Sequence, residues 1–409
     1  MAGQGLIPLS YIQTLSESSR VGASNLTPGL TSLAAAITST GQTAVSVTTF
    51  SGFPQSGTVY IMIDSEQMQV TAGLGTGTWT VTRQTNGTTA TTHLVTAPVF
   101  QCATSLLPIE PAFFEPMWTR YNPVLMRNSF EAFYETQIVD VHAELKGIKA
   151  PLTFETATNL FAYFIKGGVV PTTSDSHAYT WTYVPTLAAD DLVGLGAEVG
   201  NDTATYHICA LYGDQLVLEF VRGSDSAQMT ADWLGQQALV MGAKTPGITR
   251  TGLNMLNPAN TATYIDSTTI GSTLVNDITS AKVTIKNGFQ QLFFLNGVLY
   301  PTGAVRPQRN LSVELIQWFD SATELAAAMS TSIGSGTERK NRLVVTGPTI
   351  PSSVLSNSLT FDSYLYWDTA PFKVDKDTWC VTYTGRSVYD TGIGGSWSAT
   401  LVNGLAAMP

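Results

Sequence analysis

Alternation of apolar and polar residues with a period of two, which is typical of half-buried β-strands, recurs through most of this chain. A clear example lies at residues 78–83, where Trp79 and Val81 alternate with threonines. Asn86-Gly87 follows as a strong turn signal. Residues 46–102 are therefore predicted to form a small all-β module.

The first 45 residues lack such alternation. We predict that residues 1–45 form an extended arm with one short helix, which Thr27-Pro28-Gly29 would open. One side of this helix would carry Leu30, Leu33, Ala34 and Ile37. A terminal arm frays unless something holds it, and in an assembling protein we expect a partner copy to do so.

Residues 107–241 are predicted to form a β-rich first half. It begins with a strand at Phe130–Lys146. A helix follows at about Thr156–Lys166, where apolar residues recur at helical spacing until Gly167-Gly168 ends it. Further strands are predicted at Tyr179–Val184, Tyr206–Leu211, Gln215–Arg222 and Ala227–Trp233.

Residues 277–409 have a similar composition of elements and are predicted to form a second half, with an Ala-rich helix at Ser321–Met329. Its strands are predicted around Val283–Ile285 and at Leu292–Leu295, Arg309–Phe319, Arg342–Thr346, Ser358–Trp367 and Trp379–Thr384. Residues 242–276, which lie between the halves, are rich in Thr, Asn, Pro and Gly and indicate a linker or an excursion loop. The predicted fold class is mainly β (α+β).

Charged residues make up only 12% of the 409 residues, about half of the usual share. The formal net charge is −10, so a general affinity for nucleic-acid phosphate is not expected. A surface with few charges opposes contact between copies only weakly, which favours a subunit that packs against itself. Apolar runs are too short for a membrane span, and no signal peptide is visible, so we expect cytoplasmic assembly.

Residue types that support catalysis or metal binding are sparse and scattered. The four histidines fall on different predicted elements without a metal-ligand spacing. Asp175-Ser176-His177 holds the three triad residue types, but adjacent residues seldom reach triad geometry, which favours a solvated turn. Gly73–Gly77 opens no helix and is interpreted as a hairpin tip.

Three widely spaced cysteines, Cys102, Cys209 and Cys380, are predicted to be small buried thiols. With the sparse titratable groups, they leave no predicted catalytic residue, cofactor site or metal site. The chain is not expected to be an enzyme.

Several runs resemble the tail tube (major tail) proteins of long-tailed bacteriophages. In the first half, residues 204–208, 212–220 and 226–235 are similar to a succession of elements in tube proteins. That succession is a hairpin, a strand and a polar strand that ends in a short loop. The later half of the larger tube proteins is similar to residues 281–288 and 309–313. A small unit found in several phage virion proteins, additional to the basic tube fold, resembles residues 61–71 and 80–83.

The resemblance implies two tail-tube β-sandwich or barrel halves, each with one short helix, and an inserted module on the tube exterior. It implies homotrimeric rings with pseudo-sixfold symmetry, stacked into a conduit for DNA ejection into the host. The implied partners are other copies of the chain, a tape measure protein in the lumen, tail tip and tail terminator proteins, and DNA in transit without specific binding. A membrane is not among them. The implied location is the virion tail, after assembly in the host cytoplasm.

One polar strand face is the candidate lining of the lumen. It belongs to the Phe130–Lys146 strand and comprises Thr136, Asp140, His142 and Glu144. An acidic, hydroxyl-rich wall would leave DNA mobile, whereas a basic wall would hold its phosphates. The open alternative is that this face meets water or the helix of its own half.

Two other functions remain open from the sequence. The first is a phage baseplate or receptor-binding (adhesin) protein, which would grip a cell surface with exposed aromatic residues and loops. The second is a hydrolase that acts on cell walls or polysaccharides.

Overall fold

The structure is a computed structural model. It describes residues 9–20, 29–103, 105–112, 117–121, 124–127, 132–134, 137–185, 192–200, 205–240, 245–246, 248, 254–295, 300–305, 308–319, 338–369, 372–375, 378–391 and 395–407.

Strands dominate, and the described residues include a single α-helix. The strands before this helix are Leu9–Arg20 (β1), Leu30–Ser32 (β2), Ala44–Ser46 (β3), Val59–Ile63 (β4), Glu66–Ala72 (β5), Thr78–Thr82 (β6), Pro98–Gln101 (β7), Ser105–Ala112 (β8), Met117–Tyr121 (β9), Val124–Arg127 (β10), Ala132–Tyr134 (β11) and Gln137–Pro151 (β12). The helix is Phe154–Phe164 (α1). Short 3₁₀ turns lie at Thr85–Gly87 and Pro258–Asn260.

The remaining strands follow the helix. They are Thr172–Asp175 (β13), Ala178–Tyr183 (β14), Val193–Gly200 (β15), Thr205–Val221 (β16), Gln228–Gly235 (β17), Gln237–Val240 (β18), Thr261–Asp266 (β19), Leu274–Val275 (β20), Ile278–Lys286 (β21), Gln290–Leu292 (β22), Gly303–Val305 (β23), Asn310–Trp318 (β24), Glu338–Thr349 (β25), Ser356–Thr369 (β26), Phe372–Asp375 (β27), Thr378–Ser387 (β28) and Trp397–Asn403 (β29). The mainly β prediction is confirmed.

Strands β2 to β7 form a separate six-stranded antiparallel sheet in the order β2-β7-β4-β5-β6-β3. Inward side chains of this sheet bury an apolar core, in which the rings of Phe53 and Trp79 meet edge to face with their centroids 5.0 Å apart. Gly73–Gly77 connects β5 to β6, as the hairpin interpretation predicted. The predicted all-β module is confirmed.

The helix predicted around Leu30–Ile37 is wrong. Residues 30–32 are strand β2, and Ile37 forms a bridge with His93. Leu33 and Ile37 are buried in the module's core, so their helix-like spacing reflects inward side chains of a short strand and the irregular segment after it. The β module therefore begins near residue 29, and not at residue 46.

A buried ionic network ties loops of the module to its strands. The Glu66 carboxylate is fully buried and receives hydrogen bonds from the Arg83 guanidinium (Nε to Oε1, 2.8 Å) and the Thr91 N–H (2.9 Å). His93 lies between Glu66 (3.0 Å) and Asp64 (2.7 Å). Burial alone would raise the pKa of Glu66, but the bonds from Arg83, Thr91 and His93 hold that pKa below its usual value.

The N-terminal arm is extended over Leu9–Arg20, but its own chain holds it. β1 lies between β8 and β15, with Ile12 opposite Leu107 and Leu15 opposite Gly196. The expectation that a partner copy ties this arm is wrong for the described part. Pairing within the chain satisfies backbone groups that a free arm would leave to solvent.

The longest described strand, β16, connects the sheets of the body. Its first part pairs with β15 and β18, and its second part pairs with β17 and β21. The sequence predicted two strands here, and the structure makes them one. A left-handed residue, Ala210 (φ 49°), and a register shift between Gly213 and Gln215 lie at the junction.

The two predicted halves share ladders and one core. β16 pairs with β21, and β14 pairs with β29. Phe164 and Trp233 from the first half belong to the same buried cluster as Phe361 and Trp397 from the second. Part of the predicted linker is strand β19, which pairs with β25. The predicted helix at 321–329 lies outside the described residues.

Helix α1 confirms its prediction with bounds two residues earlier. A reciprocal cap starts it: Thr153 Oγ1 accepts from the Thr156 N–H, and Thr156 Oγ1 accepts from the Thr153 N–H, both at 3.0 Å. Nearly all its residues are buried, because β15 and β16 as well as β14, β26 and β29 contact it. In the described part of the chain, no helix is long and apolar enough to cross a membrane.

The module docks on the body through a compact junction. The Phe100 ring lies 5.1 Å from the imidazole of His207 on β16. The buried Glu198 carboxylate accepts from the Ala103 N–H (3.0 Å) and from the Thr245 hydroxyl (2.5 Å). Burial lowers the pKa of His207 to about 4.

Candidate self-assembly surfaces

Two hairpins form two-stranded sheets of their own, separate from the larger sheets of the described chain. One is β10–β11, which lies between β9 and β12 in sequence, and β9 pairs antiparallel with the start of β12. The other is β22–β23, with Leu292 opposite Gly303. Neither hairpin pairs with a third strand among the described residues, so the backbone groups at its outer edges make each a candidate for contact with another copy.

Both hairpin regions leave the body at the same end. Gln291 of β22 donates a hydrogen bond from Nε2 to the Gly235 carbonyl (2.7 Å). Gly235 is in turn the register partner of Ala143, next to the part of β12 that pairs with β9. This end of the body, which carries β9–β12 and β22–β23, is called the hairpin end below.

The base of β22–β23 is firmly anchored. The Asn287 side chain donates to the carbonyl oxygens of Gly213 (2.7 Å) and Phe164 (3.0 Å). The Phe289 N–H donates to Asp214 Oδ1 (2.8 Å), and its ring packs 5.7 Å from that of Tyr212. The hairpin therefore starts from a fixed position on the body.

The tip of this hairpin is apolar and exposed. Phe293, Phe294 and Leu295 show 41%, 45% and 110% relative exposure, although they are consecutive large apolar residues. The sequence predicted a strand over Leu292–Leu295, but β22 ends at Leu292. Contiguous apolar exposure of this kind marks interaction surfaces.

The four candidate lumen residues are only partly described. Thr136 and the side chains of Asp140 and His142 lie outside the described residues. The backbone places Asp140 and His142 on β12 opposite β9, and places Glu144 on β12 opposite Leu234 of β17. Their shared face therefore remains a prediction.

Acidic groups surround Glu144. Its carboxylate pairs with Lys146 Nζ at 2.5 Å, and this bond, more than the nearby charges of Asp232 and Asp214, raises the pKa of Lys146. Asp232 also accepts from the Gly147 N–H (2.7 Å). Glu144, Asp232 and Asp214 therefore place three carboxylates near the Lys146 ammonium.

The opposite end of the same strands holds a cleft of about 420 Å³. The cleft is lined by Phe220 near the end of β16, by Arg222 directly after this strand, by residues 276–281 around the start of β21, and by Trp318 of β24. Arg222 donates from Nη1 to the Ala259 carbonyl (2.6 Å), which fixes its guanidinium. Buried polar atoms of two lining residues, Trp318 Nε1 and Thr261 Oγ1, have no hydrogen-bond partner among the described residues.

The Asp175-Ser176-His177 candidate does not have the contacts of a catalytic triad, in which the imidazole lies between the hydroxyl and the carboxylate. Asp175, Ser176 and His177 lie at an exposed turn, where the Ser176 hydroxyl contacts both neighbours and Asp175 also accepts from the Ser353 hydroxyl (2.6 Å). The solvated-turn interpretation is confirmed. Over the described ranges, no group of three His, Cys, Asp or Glu residues could hold a metal ion.

All three cysteines are buried thiols, as predicted. Burial raises the pKa of the Cys102 thiol, and the Glu198 charge adds to that rise. The Cys102 thiol is therefore a poor nucleophile.

No protein-family model matches the chain, and no curated protein matches it.

Proposed function

We propose that this chain is a structural subunit that assembles with copies of itself into stacked rings, forming a hollow tube of the kind found in the tails of long-tailed bacteriophages. The tube would be a conduit for DNA ejection. The observation that carries this proposal is the pair of two-stranded sheets, β10–β11 and β22–β23, at one end of a large, well-packed body.

These hairpins support assembly because their outer strand edges carry no further strand among the described residues. The body buries its own apolar cluster, while β10–β11 and β22–β23 pair with no third strand among the described residues. Backbone groups at their outer edges favour pairing with a further strand. A ring of copies would supply that strand at every interface through a heterologous contact that closes.

The low charge content supports the same proposal. With 12% charged residues, burial of large surfaces between copies would desolvate few unpaired charges, each of which costs several kcal/mol. Obligate interfaces bury on the order of 2,000–5,000 Å². A homotrimeric, pseudo-sixfold ring, as the resemblance implies, belongs to this proposal.

The carboxylates near Lys146 support a DNA conduit. Glu144, Asp214 and Asp232 all act on this ammonium, and a lumen wall that carried such carboxylates would not retain DNA phosphates. We assign the lumen to the β12 face of Thr136, Asp140, His142 and Glu144, and the outside to the β module. The tape measure, tail tip and tail terminator proteins and the virion location are part of the proposal.

Self-assembly of the purified chain tests the proposal. We expect tubes in negative-stain electron micrographs and fast-sedimenting material at high protein concentration. A shortened chain, in which Asn-Gly joins Tyr121 to its register partner Gln137, should keep its far-UV circular dichroism but lose assembly. A full-length chain that stays monomeric would overturn the proposal, and a discrete trimer that binds host cells would favour the adhesin.

A further inference from the structure

We propose that the apolar tip of one copy, Phe293–Leu295, docks in the cleft beside Arg222 and Trp318 of the next copy. This inference rests on the proposed self-assembly. It names the two surfaces that join successive copies along one direction.

The tip and the cleft lie at opposite ends of the neighbouring strands β16, β21 and β24. Asn287 and Arg309 mark the hairpin end of β21 and β24, while Asp277 and Trp318 mark their cleft end. β21 alone spans roughly 27 Å at about 3.4 Å per residue. Because the base of the hairpin is held at the end of these strands opposite the cleft, the tip does not emerge beside its own cleft. A contact between unlike ends can repeat from copy to copy without closing as a dimer.

The chemistry of the cleft fits a peptide hairpin better than a purely apolar ligand. Phe220 and Trp318 offer apolar surface, and the fixed Arg222 guanidinium is a cation that attracts the face of an aromatic ring. Phe293 and Phe294 at the tip supply such rings.

The exposed area of the tip limits how strongly a single tip–cleft contact can hold two copies together. The exposed surface of Phe293, Phe294 and Leu295 is on the order of 400 Å², taking about 200 Å² for a large side chain. A standard interface needs about 800 Å² from each partner. One tip therefore cannot hold two chains together, and the contact acts where a ring presents several tips at once.

Cysteine pairing between two variants tests this contact directly. Leu295→Cys places a thiol on the tip and Asn276→Cys places one on the exposed rim of the cleft, while the native thiols are buried. Under mild oxidation, a mixture of both variants should form an intermolecular disulfide, and neither variant should form one alone. A disulfide in Leu295→Cys alone would show a tip-to-tip contact and overturn the proposal.

A charge substitution gives an independent readout. Leu295→Asp should raise the protein concentration needed for assembly at least tenfold, because it removes an apolar side chain from the contact and adds a carboxylate that must leave water beside Asp277. Leu94→Asp is the matched control, since Leu94 is an exposed leucine of the β module, at 81%, and its substitution should leave assembly unchanged. Normal assembly of Leu295→Asp, with no mixed disulfide, would overturn the tip–cleft contact and leave the tube proposal standing. Absence of assembly in the unmodified chain would overturn both.

Discussion

Removal of Arg83 should destabilise the β module far more than removal of a surface cation. Arg83 and Glu66 form an ion pair whose side chains are 5% and 0% exposed. Arg83→Met would leave the Glu66 carboxylate buried with His93 and the Thr91 N–H but without its cation. Loss of one partner of a buried pair costs about 3–5 kcal/mol.

Lys282→Met is the matched control, because it also breaks a cross-strand pair. Lys282 and Glu219 are 41% and 42% exposed, and such surface pairs contribute at most about 1 kcal/mol. The comparison therefore separates burial from charge pairing as the source of the effect.

Hydrogen exchange followed by mass spectrometry is the suitable assay, since the chain has several cores and one unfolding midpoint would not describe them. In Arg83→Met, exchange of β4 to β6 should accelerate by roughly two to three and a half orders of magnitude, which is 3–5 kcal/mol at about 1.36 kcal/mol per factor of ten. In Lys282→Met, exchange of β21 should rise by less than about tenfold. Equal, small effects in both variants would refute the assigned role of the buried pair.

Two further predictions address the body and its junction. In the folded chain the pKa of His207 is about 4, below the usual 6.5. The stability that depends on neutral His207 is therefore complete above pH 6.5 and falls by roughly 3 kcal/mol as the pH drops to 4. The melting temperature of His207→Phe should depend less on pH than that of the unmodified chain, and an equal pH dependence would contradict this prediction. Gly213→Ala places a Cβ 2.6 Å from the Phe164 ring and should cost about 1–3 kcal/mol in chemical denaturation, whereas Gly41→Ala, which meets no atom within 4 Å, should be neutral.

Local sequence patterns were sufficient to predict an element where one of its faces is buried and the other is exposed to solvent. β17 alternates strictly between buried and half-buried residues, and its predicted bounds differ by at most two residues from those observed. β15 was missed because the described residues of its interior are buried on both faces, which removes the alternation. The helix prediction at Leu33 and Ile37 failed because two buried residues four apart fit a helix and an irregular strand equally well.

The two proposed self-assembly surfaces, the tip and the cleft, also differ in how much of them the sequence predicts. Three apolar residues before Asn296-Gly297 were visible in the sequence, but alternation of side chains predicted a strand there and gave no sign that they are exposed. The cleft joins β16, β21 and β24, which are distant in sequence, and no local pattern encodes their pairing.

The order of residues alone determined that this chain is rich in strands, poor in charge and free of any clustered catalytic motif, because these properties depend on composition and on neighbours within a few positions. Only the tertiary structure decided that β1 pairs with its own chain, that the predicted halves share one core, and that an apolar tip and a cleft lie at opposite ends of the same strands. The physical reason is that β-ladders join residues far apart in sequence, and their partners are selected by burial and backbone hydrogen bonding across the whole molecule.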